Sequence, residues 1–339
     1  MNTNFFVCYQ TLKENKKEES QLLIMFDVVC IGHILYDTRS FVEEFPKPDK
    51  MTFVKGTITH SIGGSATNVA CNLSKLGMKT ALIGKIGYDD HGKYLLEQLK
   101  FYGVESKYVK ITIEKPTGVS MIVINKNGEP LLFEMIGANE PLHKSEISKE
   151  AIENSSHLHM SGTTLEALAY AARLAKKMKK TVSFDPGRSK SQAGFKKLYM
   201  ILKNVDILLT TRVEITRIVD HPEYEFQRAV ELLRKKLKEK IIIVKGGKDK
   251  TFAYLKEKAF SVSTVPVKVV DTIGAGDAFD AGFLHKFLMG EKIEDCVKFA
   301  NACGALKVTR EGAAGLPMKD EVYAFYRKVK NKMKVEGID

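Results

Sequence analysis

Cysteine is scarce in this chain of 339 residues, and none of it is spaced for chemistry. Cys8, Cys30, Cys71, Cys296 and Cys303 are odd in number and hold no C-x-x-C pair. That excludes a disulfide framework and a thiolate zinc site, and it fits thiols in a reducing cytoplasm. The lone histidines His33, His60 and His159 lack ligand spacing for zinc. No apolar run reaches the length of a membrane-spanning helix, so no membrane partner is expected. Acids are outnumbered, with 41 Asp and Glu against 53 Lys and Arg and a net charge of +12. The basic residues cluster at 176–180, 234–236 and 328–334, on amphipathic helical patterns with acids between them. They read as solvated helix faces whose field attracts anionic substrates such as nucleotides. No interleaving of aromatic and basic residues argues for nucleic acid. Internal repeats and low-complexity linkers are also missing.

What is present is enough apolar residue, 44% of the chain, for one large α/β core. Strand-like runs at 27–31, 79–83, 157–160, 181–184, 207–209 and 240–244 alternate with helical patterns at 68–76, 93–102, 165–178 and 225–238. Such alternation predicts a mostly parallel sheet flanked by helices. Two stretches, about 38–62 and 117–136, are β-rich instead, and Asn125-Lys126-Asn127-Gly128 marks a hairpin turn between strands. They predict a small second sheet covering the site. Residues 1–24 are polar and lack the form of a secretory signal. They are expected to be a mobile arm or to precede the native start at Met25, with a single domain over 25–335.

The richest segment runs from Val270 to Phe283, between a β-rich stretch (260–270) and a helical pattern (278–288). Gly274, Ala275 and Gly276 are small enough for a charged group to approach the backbone at a helix N-terminus, where amides and dipole favour an anion. Asp277 follows at once. A phosphate cradle beside a carboxylate suits phosphoryl transfer, the acid accepting the proton of an attacking hydroxyl. A tight strand-to-helix turn with a capping carboxylate needs the same residues. The dinucleotide fingerprint fails because Phe279 stands at its third glycine, and the Walker A loop fails because Asp249 follows Lys248.

The string Asp271-Thr272-Ile273-Gly274-Ala275-Gly276-Asp277-Ala278-Phe279-Asp280-Ala281-Gly282-Phe283 resembles the C-terminal signature of the PfkB/ribokinase family of carbohydrate kinases. Gly63-Gly64-Ser65-Ala66-Thr67-Asn68-Val69-Ala70 resembles the N-terminal one, about two hundred residues earlier. The resemblance implies a Rossmann-like ribokinase fold with a β lid, ATP and Mg²⁺ as cofactors, and a small-molecule acceptor. In that likeness Asp277 is the general base, and Gly274, Ala275 and Gly276 form the anion hole. Asp37, Gly63, Gly64 and Asn68 hold the acceptor, and Gly247, Thr272 and Asn301 face the nucleotide. Glu214 borders the magnesium through water, although Thr211 stands where the family has Asn. Asp271 and Ile273 match a stretch that binds potassium in some relatives, and Gly312 lies in the matching loop. Asp185-Pro186-Gly187-Arg188 matches a further family stretch only partly; Arg188 reads equally as a phosphate clamp or a surface ion pair. Lys245 and Lys248 read as solvent-facing.

A sugar kinase is the leading expectation, with a nucleoside kinase as first alternative. A non-catalytic regulator that binds sugar or nucleotide is remote, because Asp277 is intact. The edges of a β lid also raise the expectation of a homodimer.

Overall fold

The computed structural model describes residues 25–221 and 225–338, so the N-terminal extension at 1–24 lies outside the described residues. The main sheet has eleven strands: β1 (Phe26–Gly32), β4 (Thr80–Gly87), β5 (Val104–Glu105), β6 (Val109–Thr112), β9 (Ser155–Ser161), β10 (Thr181–Phe184), β11 (Ile207–Thr211), β12 (Ile241–Lys245), β13 (Thr251–Tyr254), β14 (Ala259–Val262) and β15 (Val335–Ile338). Their order is β15-β14-β13-β12-β11-β10-β9-β1-β4-β5, with β6 also on β4. Pairing is parallel from β12 through β4, and antiparallel from β12 outward to β15. The central strands are buried on both faces, as a sheet covered on both sides requires, although β9 turns His157 and His159 to one face, where they meet Thr181 and Ser183. One core lies under Ser65–Lys75, Ala275–Leu288 and Ile293–Lys307, the other under Leu165–Lys177, Gly194–Leu202 and Phe226–Leu237.

A separate four-stranded sheet has the order β3 (Val54–Gly63), β2 (Leu35–Val42), β7 (Gly118–Ile124), β8 (Pro130–Met135). β7 and β8 pair antiparallel across the Asn125–Gly128 turn. There the Asn125 side chain accepts from the Asn127 and Glu129 amides at 3.0 Å each, and Gly128 takes φ 78°. Strands β3 and β8 are largely exposed, with Ile58, Leu131 and Phe133 facing solvent.

One expected stretch is shorter than its composition suggested. The β-rich pattern over 260–270 forms a strand only to Val262. Pro266 has no N–H for a ladder, and the chain leaves the sheet toward the glycine loop.

Candidate active site

In a parallel sheet ligands sit beyond the carboxyl ends of the strands, where the strand order reverses. Here β1 lies between β4 and β9. The residues that matter follow those strand ends: His33 after β1, Asp185 after β10, Thr211 and Glu214 after β11, and Lys245 at the end of β12.

Asp277 lies buried in the first turn of Ala275–Leu288. That helix is buried almost all round, between Ile293–Lys307 and Ser65–Lys75. Its N-cap, Gly274, has φ 78°, and a Cβ there would lie 2.2 Å from the Ala313 carbonyl oxygen, so the turn requires glycine. Ala275 N–H donates to the Thr272 carbonyl at 3.2 Å, and the first helical bond is Ala278 N–H to Gly274 O. The Gly276 and Asp277 amides therefore precede the helical ladder, where an anion can be met. The Asn68 amide donates to Asp277 Oδ2 at 2.7 Å, joining the two glycine-bearing segments. Burial raises the Asp277 pKa to about 6, against the hydrogen bond from Asn68.

Asp37 is buried on β2, with its pKa raised to about 7 by burial, against the opposing Arg39 charge. Its carboxylate fills the space beside Gly63, where a Cβ would fall 2.2 Å from Oδ1. Gly64, at φ 95°, is pressed against the His33 carbonyl in the same way. Asp37, Gly63, Gly64 and Asn68 thus converge, and Asp277 is close enough to raise the Asp37 pKa. His33 Nε2 meets Glu140 at 2.9 Å.

Sequence reading missed the charge cluster behind Asp277. Lys245, expected to face solvent, is buried, and its Nζ lies 2.8 Å from Asp185 and 3.1 Å from Asp280. It also sits 3.5 Å from where a Gly276 Cβ would stand, beside the glycine turn. Burial opposes ionisation of Asp185, but the Lys245 charge together with hydrogen bonds from Asp280, Lys245 and the Gly187 N–H outweighs it and holds the carboxyl below its usual range. Burial pushes the Asp280 carboxyl well above its range, with the Lys245 charge opposing the rise and the neighbouring Asp185 adding to it. The signal was available: Asp280 follows Asp277 by three residues and faces the same side of the helix.

Glu214 forms a capping box with Thr211: Thr211 N–H donates to Glu214 Oε2 at 2.8 Å, and Glu214 N–H to Thr211 Oγ1 at 3.3 Å. Burial and the neighbouring Asp185 raise its pKa. Arg188 and Thr272 are exposed. Gly247 is exposed at φ 63° with open space around it, whereas a Cβ on Gly246 would meet the Lys250 carbonyl oxygen at 2.0 Å. Both glycines of that turn are required, Gly246 for space and Gly247 for its backbone conformation. The Asn301 amide is engaged within the protein: Oδ1 accepts from Thr251 at 2.7 Å, and Nδ2 donates to the Ser263 carbonyl at 3.3 Å. It ties Ile293–Lys307 to strands β13 and β14.

Asp271 is enclosed. Oδ1 accepts from Ile273 N–H at 2.9 Å, and Oδ2 from Gly312 N–H at 3.1 Å. Oδ2 also meets Arg39 Nη1 at 3.1 Å and Lys307 Nζ at 3.2 Å. Another cation about 4 Å from either would meet about 4 kcal/mol of repulsion at an effective dielectric near 20.

The family model described as pfkB family carbohydrate kinase matches residues 25–320. The chain belongs to the pfkB family of carbohydrate kinases. The kinase is 33% identical, over 89% of its own length and 98% of the relative's, to an ATP-dependent ribose-1-phosphate kinase of Halopiger xanaduensis. A 5-dehydro-2-deoxygluconokinase of Listeria innocua is 29% identical, over 88% of this chain and 95% of the relative. Among solved structures, Arabidopsis thaliana ribokinase complexed with ribose and ATP superposes with a TM-score of 0.78 at 26% identity, covering 89% of the kinase and 99% of the ribokinase. The fold is the ribokinase fold, and the enzyme phosphorylates a sugar or nucleoside hydroxyl. Among the described residues no helix is long and apolar enough to cross a membrane, and Cys30, Cys71, Cys296 and Cys303 are free and buried.

Proposed function

We propose that the kinase transfers the γ-phosphoryl group of ATP to a hydroxymethyl group of a small ribose-like or hexose sugar, with Asp277 as general base. The observation that carries this reading is the Asn68–Asp277 hydrogen bond beneath the glycine turn. It sets one carboxylate between the group of Asp37, Gly63 and Gly64 and the amides that would receive the transferring phosphoryl. A carboxyl with a pKa of about 6 is mostly ionised at neutral pH, and is a stronger base than an exposed aspartate.

In this reading the acceptor displaces solvent from Asp37, whose carboxylate takes two adjacent hydroxyls. Asn68 orients Asp277 toward the third hydroxyl, which loses its proton as the Gly276 and Asp277 amides meet the phosphoryl oxygens. Lys245 adds a fixed positive charge beside that turn. Glu214, a buried carboxylate just past the end of β11, fits a magnesium ion held through water with the nucleotide phosphates. Bound there, the ion would supply charge neutralisation. The four strands of the small sheet would close over the acceptor and exclude water, which matters when ATP hydrolysis competes.

The test is ADP release with ATP and Mg²⁺ across free pentoses, hexoses, ribose 1-phosphate and nucleosides, with Asp277→Asn in parallel. Acceptor-dependent turnover with a free sugar or sugar phosphate, lost in the variant, is the expected result. Turnover confined to nucleosides would replace the sugar by a nucleoside in the same site. Turnover unchanged in Asp277→Asn would remove Asp277 as the base.

A further inference from the structure

Lys307 lies near the end of Ile293–Lys307, in the otherwise apolar run Ala302 to Val308, and its side chain has no solvent exposure. Few lysines are buried in this way, and the ammonium must find oxygens. Those oxygens belong to one residue: Nζ donates to the Asp271 carbonyl at 2.9 Å and lies 3.2 Å from Asp271 Oδ2.

Asp271 opens the anion-binding turn, and its partners join that turn to a second loop. Val270 and Asp271 both donate N–H to the Val308 carbonyl, at 2.7 and 3.1 Å. Gly312 N–H donates to Oδ2, and Gly274 is pressed against Ala313. The lysine stem fills the remaining space: a Cβ on Gly315 would stand 3.3 Å from Lys307 Cε. Arg39 reaches the same carboxylate from β2. The position where the resemblance implied a potassium ion therefore holds two fixed cations. Asp271 and Ile273 do not fit a monovalent metal, because the Asp271 oxygens that would bind it are already occupied.

We infer that Lys307 is a built-in cation that holds the anion-binding turn in place, so that this kinase needs no monovalent metal ion for activity. Its ammonium carries the same single charge as potassium at a comparable distance from oxygen. It is covalently held, so it needs no ion from solution. The inference rests on kinase activity alone, and not on which sugar is the acceptor. Lys307 acts through the turn and is a positioning residue.

The experiment compares wild type, Lys307→Met and Lys307→Arg in buffers whose only monovalent cation is potassium, sodium or tetramethylammonium. Turnover is read with the best acceptor of the panel. Independently of any acceptor, the rise in melting temperature produced by Mg·ATP is read in each buffer. Wild type is expected to show the same kcat and the same ATP-induced shift in all three salts. Lys307→Met is expected to lose at least about tenfold in kcat in tetramethylammonium, with the ATP shift reduced, and to recover part of both in potassium alone. Lys307→Arg keeps the charge and should stay independent of potassium. Activation of wild type by potassium would overturn the inference. So would a folded Lys307→Met that keeps full activity in tetramethylammonium. If Lys307→Met does not fold, wild type and Lys307→Arg still decide. If no acceptor is turned over, the proposed acceptor class fails while the ATP shift still tests Lys307.

Discussion

Replacing Asp277 by Asn should abolish activity and stabilise the protein at the same time. In the fold burial is the main cause that raises the Asp277 carboxyl pKa from an ordinary 3.8 to about 6. A raised carboxyl pKa means that the folded state favours the neutral form. The charged form is therefore a burden on the fold above pH 4, and the burden grows until pH passes the folded pKa. With 1.36 kcal/mol per pH unit, the cost is about 0.5 kcal/mol at pH 4, about 1.5 at pH 5 and about 3 at pH 7. An amide removes that cost. Its oxygen can accept from Asn68 Nδ2 as the carboxylate does, and Asn68 Oδ1, buried without a partner, is available to its N–H. The measurement is the difference in melting temperature between wild type and Asp277→Asn from pH 4 to 7. The variant should gain a few degrees at pH 7, on the order expected for about 3 kcal/mol in a protein of this size, and almost nothing at pH 4. kcat should fall by about 10²- to 10⁴-fold. In wild type kcat/KM should decline as pH drops below about 6, as the base takes up its proton. A variant less stable than wild type at pH 7, or one whose gain does not change with pH, would refute the assignment of a buried, ionised base.

Three further substitutions probe separate parts of the site. Gly63→Ala puts a methyl group onto the Asp37 carboxylate, so acceptor KM should rise about tenfold or more while KM for ATP stays constant. Lys245→Met leaves Asp185 buried without its cation and should cost about 3–5 kcal/mol in chemical denaturation; adding Asp185→Asn should return part of that loss. Asn301→Ala should destabilise by about 1–3 kcal/mol through the lost ties to Thr251 and Ser263, with KM for ATP unchanged.

The alternation of strand and helix, the Asn125–Gly128 turn and the glycine turn before Asp277 were legible because each is a local pattern. Gly274 sits at φ 78°, and its need for glycine shows in the chain itself. Lys245 was not legible. It stands beside the exposed Lys248 and Lys250, and what buries it are carboxylates 60 and 35 residues away. Lys307 carries no local signal either, since its partner lies 36 residues back in a loop. Asn301 differs in the opposite sense. The family resemblance set it against the nucleotide, helix spacing gave only an ordinary polar position, and its amide hydrogen-bonds to the adjacent hairpin.

The hydrogen bond between Asn68 and Asp277 joins residues 209 positions apart. Contacts so distant along the chain form late, because loop closure must come first. During synthesis from the N-terminus, the first glycine segment leaves the ribosome long before its counterpart exists. A growing chain therefore cannot join Asn68 to Asp277 until most of the sheet has been made. Two fragments cut in the exposed turn near Gly247 would each be inert, and activity returning on mixing them would report assembly of the sheet rather than rescue of either half.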